Sequence, residues 1–149
     1  MNKPTNAKQN TVCGTFRSTW FQIARMYNMQ AEHYGGNITI AYYLLNVDSA
    51  QGSFATDIAL RLDVEGTGLG RMTKKLEDEK LISRTIDKLD KRKVKITLTA
   101  KGKKAKEMAK DAVRSFNKEI TKTVSDKELE SFFATAQKIQ QLAEQKINE

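Results

Sequence analysis

The chain has 149 residues, 39% hydrophobic and 30% charged, with a net charge of +8 at pH 7, the balance of one folded domain and not of a disordered tail. Its only cysteine, Cys13, excludes an internal disulfide and a cysteine zinc cluster. The N-terminal "MNKPTNAKQN" lacks the apolar core of a signal peptide, and Ile40–Leu45 is far too short an apolar run to cross a bilayer, so a cytoplasmic protein is expected.

The charge is unevenly placed. Residues 80–106 hold eleven Lys and Arg against two Asp, a surplus of +9 that leaves about −1 for the rest. Such local excess points to a polyanionic partner more than to general solubility, although a solvated charged face gives the same composition.

Residues 1–10 are polar and read as a flexible tail. Phe16, Trp20, Ile23 and Tyr27 then recur at helical spacing, which predicts an amphipathic helix over about 11–34, stopped by "GGN" at 35–37. A second, mostly apolar helix follows over about 39–47, and "DSAQGS" (48–53) reads as a loop. Phe54, Ile58 and Leu62 form the stripe of a short helix that halts at Asp63, a residue tolerant of left-handed backbone. Another helix runs over about 65–80 with Leu69, Met72 and Leu76 inward. Two short helices around a tight turn make a helix-turn-helix pattern, weak on spacing alone.

The next element sharpens it. Residues 81–86 and 93–99 are strand-like, with Val94, Ile96 and Leu98 alternating against Lys93, Lys95 and Thr97, and "DKLDKR" joins them. This is a hairpin with an apolar underside and a cationic tip. Two long helices close the chain over about 100–147. The second opens on "SDKE" (125–128), a capping box, and carries a wide stripe through Leu129, Phe132, Phe133, Ala136, Ile139 and Leu142. The fold class expected is mainly α with a small β-hairpin wing.

Residues 57–104 resemble the core of the MarR family of winged helix-turn-helix transcriptional regulators. "IA" (58–59), "RMTKKLEDEKLI" (71–82), the "DKR" tip (90–92) and "LTAKG" (98–102) carry the likeness, and the element order resembles the family over nearly the whole chain. Lys80 and Asp63 depart from it, standing where the family usually or often has Gly, and "EGTGLG" (65–70) is unusually rich in glycine. The resemblance implies one MarR-like domain over 11–149, with the winged helix over about 39–99. It implies a homodimer built from the helices at about 11–34 and 100–147, and a small-molecule crevice, commonly for aromatic acids or phenols.

Residue chemistry agrees with duplex DNA as partner. Thr67, Gly68, Arg71, Lys74 and Lys75 lie opposite the apolar face of their helix, with Arg71 suited to guanine in the major groove and the lysines to phosphates. At the wing, Arg92 suits the narrow minor groove, with Asp90 orienting it and Lys88, Lys91, Lys93 and Lys95 on phosphates. Phe16, Phe132, Phe133, Ile139 and Leu142 are the candidate dimer contacts, a palindromic operator the matching target. Trp20, Tyr27, Tyr42 and Tyr43 are the candidate ligand-lining aromatics, although core packing would place the same residues.

Other classes have less behind them. No nucleophile, base and oxyanion set is present, so neither an enzyme nor a cofactor or metal site is expected. Cys13 could make the protein a peroxide sensor, and His33 could border a ligand pocket or merely cap a helix. A winged helix can also bind RNA or protein, but residues 80–106 contain no aromatic side chain to stack on bases. A ligand-responsive repressor is the reading the resemblance favours.

Overall fold

The computed structural model describes residues 11–32 and 36–149; the tail at 1–10 and His33 lie outside them. The elements in chain order are α1 (Val12–Glu32), α2 (Ile38–Leu45), β1 (Ser53–Phe54), α3 (Ala55–Leu62), α4 (Gly66–Asp78), β2 (Ile82–Ile86), β3 (Val94–Leu98), α5 (Ala100–Thr123) and α6 (Asp126–Ile147). They divide into two compact units, one ending at Ala112 and the other comprising Val113–Glu149.

In the first unit, Tyr43, Leu44, Val47, Ile58, Leu69, Leu76, Leu81, Ile82, Ile96 and Leu98 form the core. They come from α2, α3, α4 and the underside of the hairpin, so Ile58, Leu69 and Leu76 of the helical stripes meet Ile96 and Leu98 in one core, with Phe54, Leu62 and Met72 half-buried at its margin. The hairpin pairs Ile82 with Leu98 and Ile86 with Val94. A third strand, β1, adds antiparallel to the outside of β3 through Ser53–Ile96 and Phe54–Lys95. Two residues carry no periodic signature, so by local pattern Ser53 reads as loop and Phe54 as the start of a helical stripe. The strand forms because Gly52 (φ +74°) turns the chain against β3, where a Cβ would sit 2.4 Å from the Ile96 carbonyl oxygen. Asp48 holds the preceding turn by accepting from the Ala50 and Gln51 N–H groups at 2.8 and 2.7 Å.

Helix α2 ends at Leu45, two residues before the expected stop, while Val47 still packs fully into the core. Its Asn37 N-cap accepts from the Ile40 N–H at 2.9 Å, and Asn28 of α1 accepts from the Ile38 N–H at 2.8 Å. No residue of α1 is buried; Phe16 and Trp20 are 41% and 46% exposed.

The two departures from the family pattern fall on the two left-handed non-glycine residues of the described chain, Asp63 (φ 51°) and Lys80 (φ 60°). Each closes a Schellman motif. Val64 N–H donates to Ala59 and Asp63 N–H to Leu60 at the end of α3; Leu81 N–H donates to Leu76 and Lys80 N–H to Glu77 at the end of α4. The backbone therefore takes the conformation glycine favours at both sites without glycine.

The hand-over from wing to α5 is built around Thr99 and Gly102. The Thr99 hydroxyl caps α5 by accepting from Gly102 N–H at 3.0 Å and donates to the Lys80 carbonyl at 2.7 Å. Gly102 is buried directly against the Leu81 carbonyl, which a Cβ would approach to 1.9 Å.

The second unit holds the C-terminal part of α5 and all of α6. The capping box read from "SDKE" is present: Glu128 Oε2 accepts from Ser125 N–H at 2.9 Å, and Ser125 Oγ accepts from Glu128 N–H at 3.4 Å. The Ser125 hydroxyl, 2.6 Å from Glu128 Oε2, and the Ser125 N–H hold the Glu128 carboxyl below its ordinary pKa. No residue of α6 is buried, and Phe132, Phe133 and Leu142 are 54%, 63% and 59% exposed.

Candidate nucleic-acid interface

Helix α4 sorts its side chains by face. Leu69, Thr73 and Leu76 are buried with Met72 half-buried, while Thr67, Gly68, Arg71, Lys74 and Lys75 are exposed. No ion pair holds Arg71 or Lys74 among the described residues, whereas Lys75 lies 3.9 Å from Glu79 one turn on. An exposed salt bridge of this length contributes little and leaves the lysine available.

Thr73 is a member of the inner face that periodicity alone did not mark. Its hydroxyl donates to the Leu69 carbonyl and accepts from the Tyr43 hydroxyl, both at 2.8 Å. That pairing satisfies two polar groups in the core and fixes the roll of α4 against α2. Burial pushes the Tyr43 hydroxyl up from its ordinary pKa. Tyr43 is therefore a core residue with no exposed surface, in keeping with the core-packing alternative for these aromatics.

The wing is tied to the same helix. Arg84 of β2 reaches Glu77 of α4 at 2.5 Å, a contact of two residues 7 apart that only the packed hairpin brings together. The hydrogen bond that Arg84 donates to this carboxylate raises the pKa of its guanidinium. At the tip, Asp87 accepts from the Leu89 and Asp90 N–H groups at 2.9 Å each, and Asp90 Oδ1 accepts from the Arg92 N–H at 3.1 Å and lies 3.5 Å from its Nε. Both acids are used to shape the turn, and the Asp87 carboxyl is held below its ordinary pKa by those backbone donors. Arg92 itself stays 94% exposed, with Lys88 and Lys91 exposed beside it.

The two cations on the outer face of β3 sit differently. Lys93 stands over the Phe54 ring, 5.6 Å from its centroid. Lys95, paired with Phe54 across β1, is half-buried and lines a cavity of about 450 Å³. The added strand β1 thus screens a side chain that the hairpin alone would present fully to solvent. In that cavity Arg61 donates to the Asn46 carbonyl at 3.1 Å, and the buried Lys106 ammonium donates to the Val47 carbonyl. Both cations satisfy carbonyls at the end of α2. Burial pushes the Lys106 ammonium down from its ordinary pKa.

None of the four candidate ligand aromatics lines this cavity. Trp20 and Tyr42 pack with ring centroids 6.0 Å apart, and burial raises the hydroxyl pKa of Tyr27 and Tyr42. Cys13 is exposed in the first turn of α1. No helix among the described residues is long and apolar enough to cross a membrane.

No family model and no curated protein matches the chain by sequence. Solved structures do match it by shape. The MepR–DNA complex of S. aureus superposes with a TM-score of 0.82 at 24% identity, over 88% of this chain and 97% of that one. The transcriptional regulator SlyA gives 0.81 at 18% identity, over 92% and 96%. A MarR-family transcriptional regulator from Rhodococcus sp. RHA1 gives 0.73 at 18%, over 91% and 97%. The chain has the MarR-type winged-helix fold. In that frame α3 and α4 are the helix-turn-helix and the β2–β3 hairpin is the wing.

Proposed function

We propose that this chain is a sequence-specific, duplex-DNA-binding transcriptional regulator of the MarR family. The observation that carries the reading is the pairing of two exposed cationic surfaces in one winged helix. One is the α4 face with Thr67, Gly68, Arg71, Lys74 and Lys75; the other is the wing tip with Lys88, Lys91, Lys93 and Arg92. In this reading α4 enters the major groove, Arg71 bonds bidentately to a guanine, and Lys74 and Lys75 hold phosphates. Arg92 lies in the flanking minor groove, where a narrow width concentrates negative potential. Half-buried Lys95 contributes through the field and not through a direct phosphate contact.

Three finer points belong to the same proposal. The protein acts as a homodimer on a palindrome, because one winged helix reads few base pairs and the exposed apolar residues Phe16, Phe132, Phe133 and Leu142, with half-buried Ile139, need cover. It acts as a repressor in the cytoplasm. A small aromatic ligand, bound near Trp20, Tyr27 and Tyr42, tunes its affinity.

The test is sequencing of genomic fragments retained by the purified protein, with and without aromatic acids, followed by titration of the best site. Arg71→Ala should cost about 1–3 kcal/mol on that site and much less on random duplex. Retention without any sequence preference would defeat the proposal.

A further inference from the structure

Leu89 is the most exposed large hydrophobic among the described residues, at 99%. It is not a loose loop residue. Its N–H and that of Asp90 both donate to Asp87 Oδ1 at 2.9 Å. Asp87 N–H donates to the Lys93 carbonyl and Lys93 N–H to the Asp90 carbonyl, each at 2.9 Å. The turn that displays Leu89 is thus ordered before any partner arrives, which lowers the cost of using it. Its near neighbours in sequence are cations, Lys88, Lys91 and Arg92, and the two acids of the tip are occupied within the turn.

An aliphatic side chain held out on a cationic tip matches one surface well. The walls of a minor groove carry phosphates for the lysines, and its floor offers base edges and stacked steps. Proteins that bind there insert apolar side chains between steps. We infer that Leu89 is a wedge that the wing presses into the minor groove beside Arg92, partly unstacking one base step. The inference rests on the DNA-binding reading above and deepens it. Arg92 senses the narrow, negative groove of an A·T-rich flank, while Leu89 senses how easily one step within it opens, so an A·T-rich flank with a flexible TA step under the tip should be preferred over an uninterrupted A-tract.

The experiment uses the full chain and the best duplex from the fragment selection, with 2-aminopurine placed singly at each flank position. Wild-type protein should raise the fluorescence at one step. Leu89→Ala should abolish that rise and weaken binding roughly tenfold, with an unchanged slope of log affinity against log salt, since an apolar contact releases no counterion. Leu89→Met should retain both the signal and the affinity. The inference is overturned if Leu89→Ala binds and unstacks as the wild type does. It is equally overturned if the variant loses affinity only because its mass by light scattering has changed, which would make Leu89 a protein contact. Unfolding midpoints should be unchanged, because the side chain touches no core. A wild type that retains no duplex at all defeats the DNA-binding reading itself, a result distinct from either of these.

Discussion

Replacing Gly102 by Ala sets two physical effects against each other. In an ordinary helix interior Ala is better than Gly by about 1 kcal/mol, so propensity alone makes the variant more stable. Gly102, however, is buried in the first turn of α5, and a Cβ there would stand 1.9 Å from the Leu81 carbonyl oxygen and 2.9 Å from its carbon. Both atoms are backbone, so no rotamer change relieves the contact. The helix and the Leu81 carbonyl would have to part by about 1.5 Å to reach van der Waals separation. Overpacking of this kind costs about 1–3 kcal/mol. The shift also strains the Thr99 N–H bond to Leu81 and the Thr99 cap on Gly102, now 3.1 and 3.0 Å, at about 1 kcal/mol each. A net loss of about 2–4 kcal/mol follows, which for a chain of this length lowers Tm by roughly 5–15 °C. Gly70→Ala is the control. Gly70 lies within α4 with nothing inside 4 Å of an added Cβ, and the same substitution should raise stability by about 0.5–1 kcal/mol. Urea and thermal unfolding at one protein concentration measure both. A Gly102→Ala protein as stable as the wild type would refute the close-approach argument.

Lys80→Gly should stabilise by about 1 kcal/mol in the same unfolding assay. Relief of a left-handed lysine, about 1–2 kcal/mol, outweighs the added freedom of the unfolded chain, whereas Asp63→Gly should change little because Asp tolerates that conformation. Tyr43→Phe should cost about 1 kcal/mol. A double-mutant cycle with Thr73→Val should show the two losses to be coupled, and additive losses would deny that the 2.8 Å contact links them. Lys106 makes the pH prediction. Its folded pKa lies below the ordinary 10.5, so the unfolded chain holds the proton over a window where the folded chain has released it. Stability therefore rises with pH through that window, and the cost of the buried charge is fully present below it. Wild type should gain on Lys106→Met as pH climbs from 7 toward 10 in urea titrations; a constant difference would sink this.

Much of the fold was legible in the sequence, because it depends on periodicity and local chemistry. Spacings of three and four marked α1, α3, α4 and α6, alternation marked β3, and Ser125 with Glu128 marked a helix start that needs only three residues of context. The exposed cations of α4 and the wing tip were also legible, since a stripe that buries Leu69 and Leu76 leaves Arg71 and Lys74 outward by geometry alone. Other features were decided only by packing between distant segments. Strand β1 exists because β3 offers a free edge to Ser53 and Phe54, and its arrival half-buries Lys95. Tyr43 became core because Thr73, thirty residues on, meets its hydroxyl. The Arg84–Glu77 pair requires the hairpin to lie against α4. Lys80 shows the division most plainly. Its side chain gives no sign of left-handed backbone, and the conformation arises from the Schellman closure that lets Leu81 return to the core, where burial outweighs the local preference of a single residue.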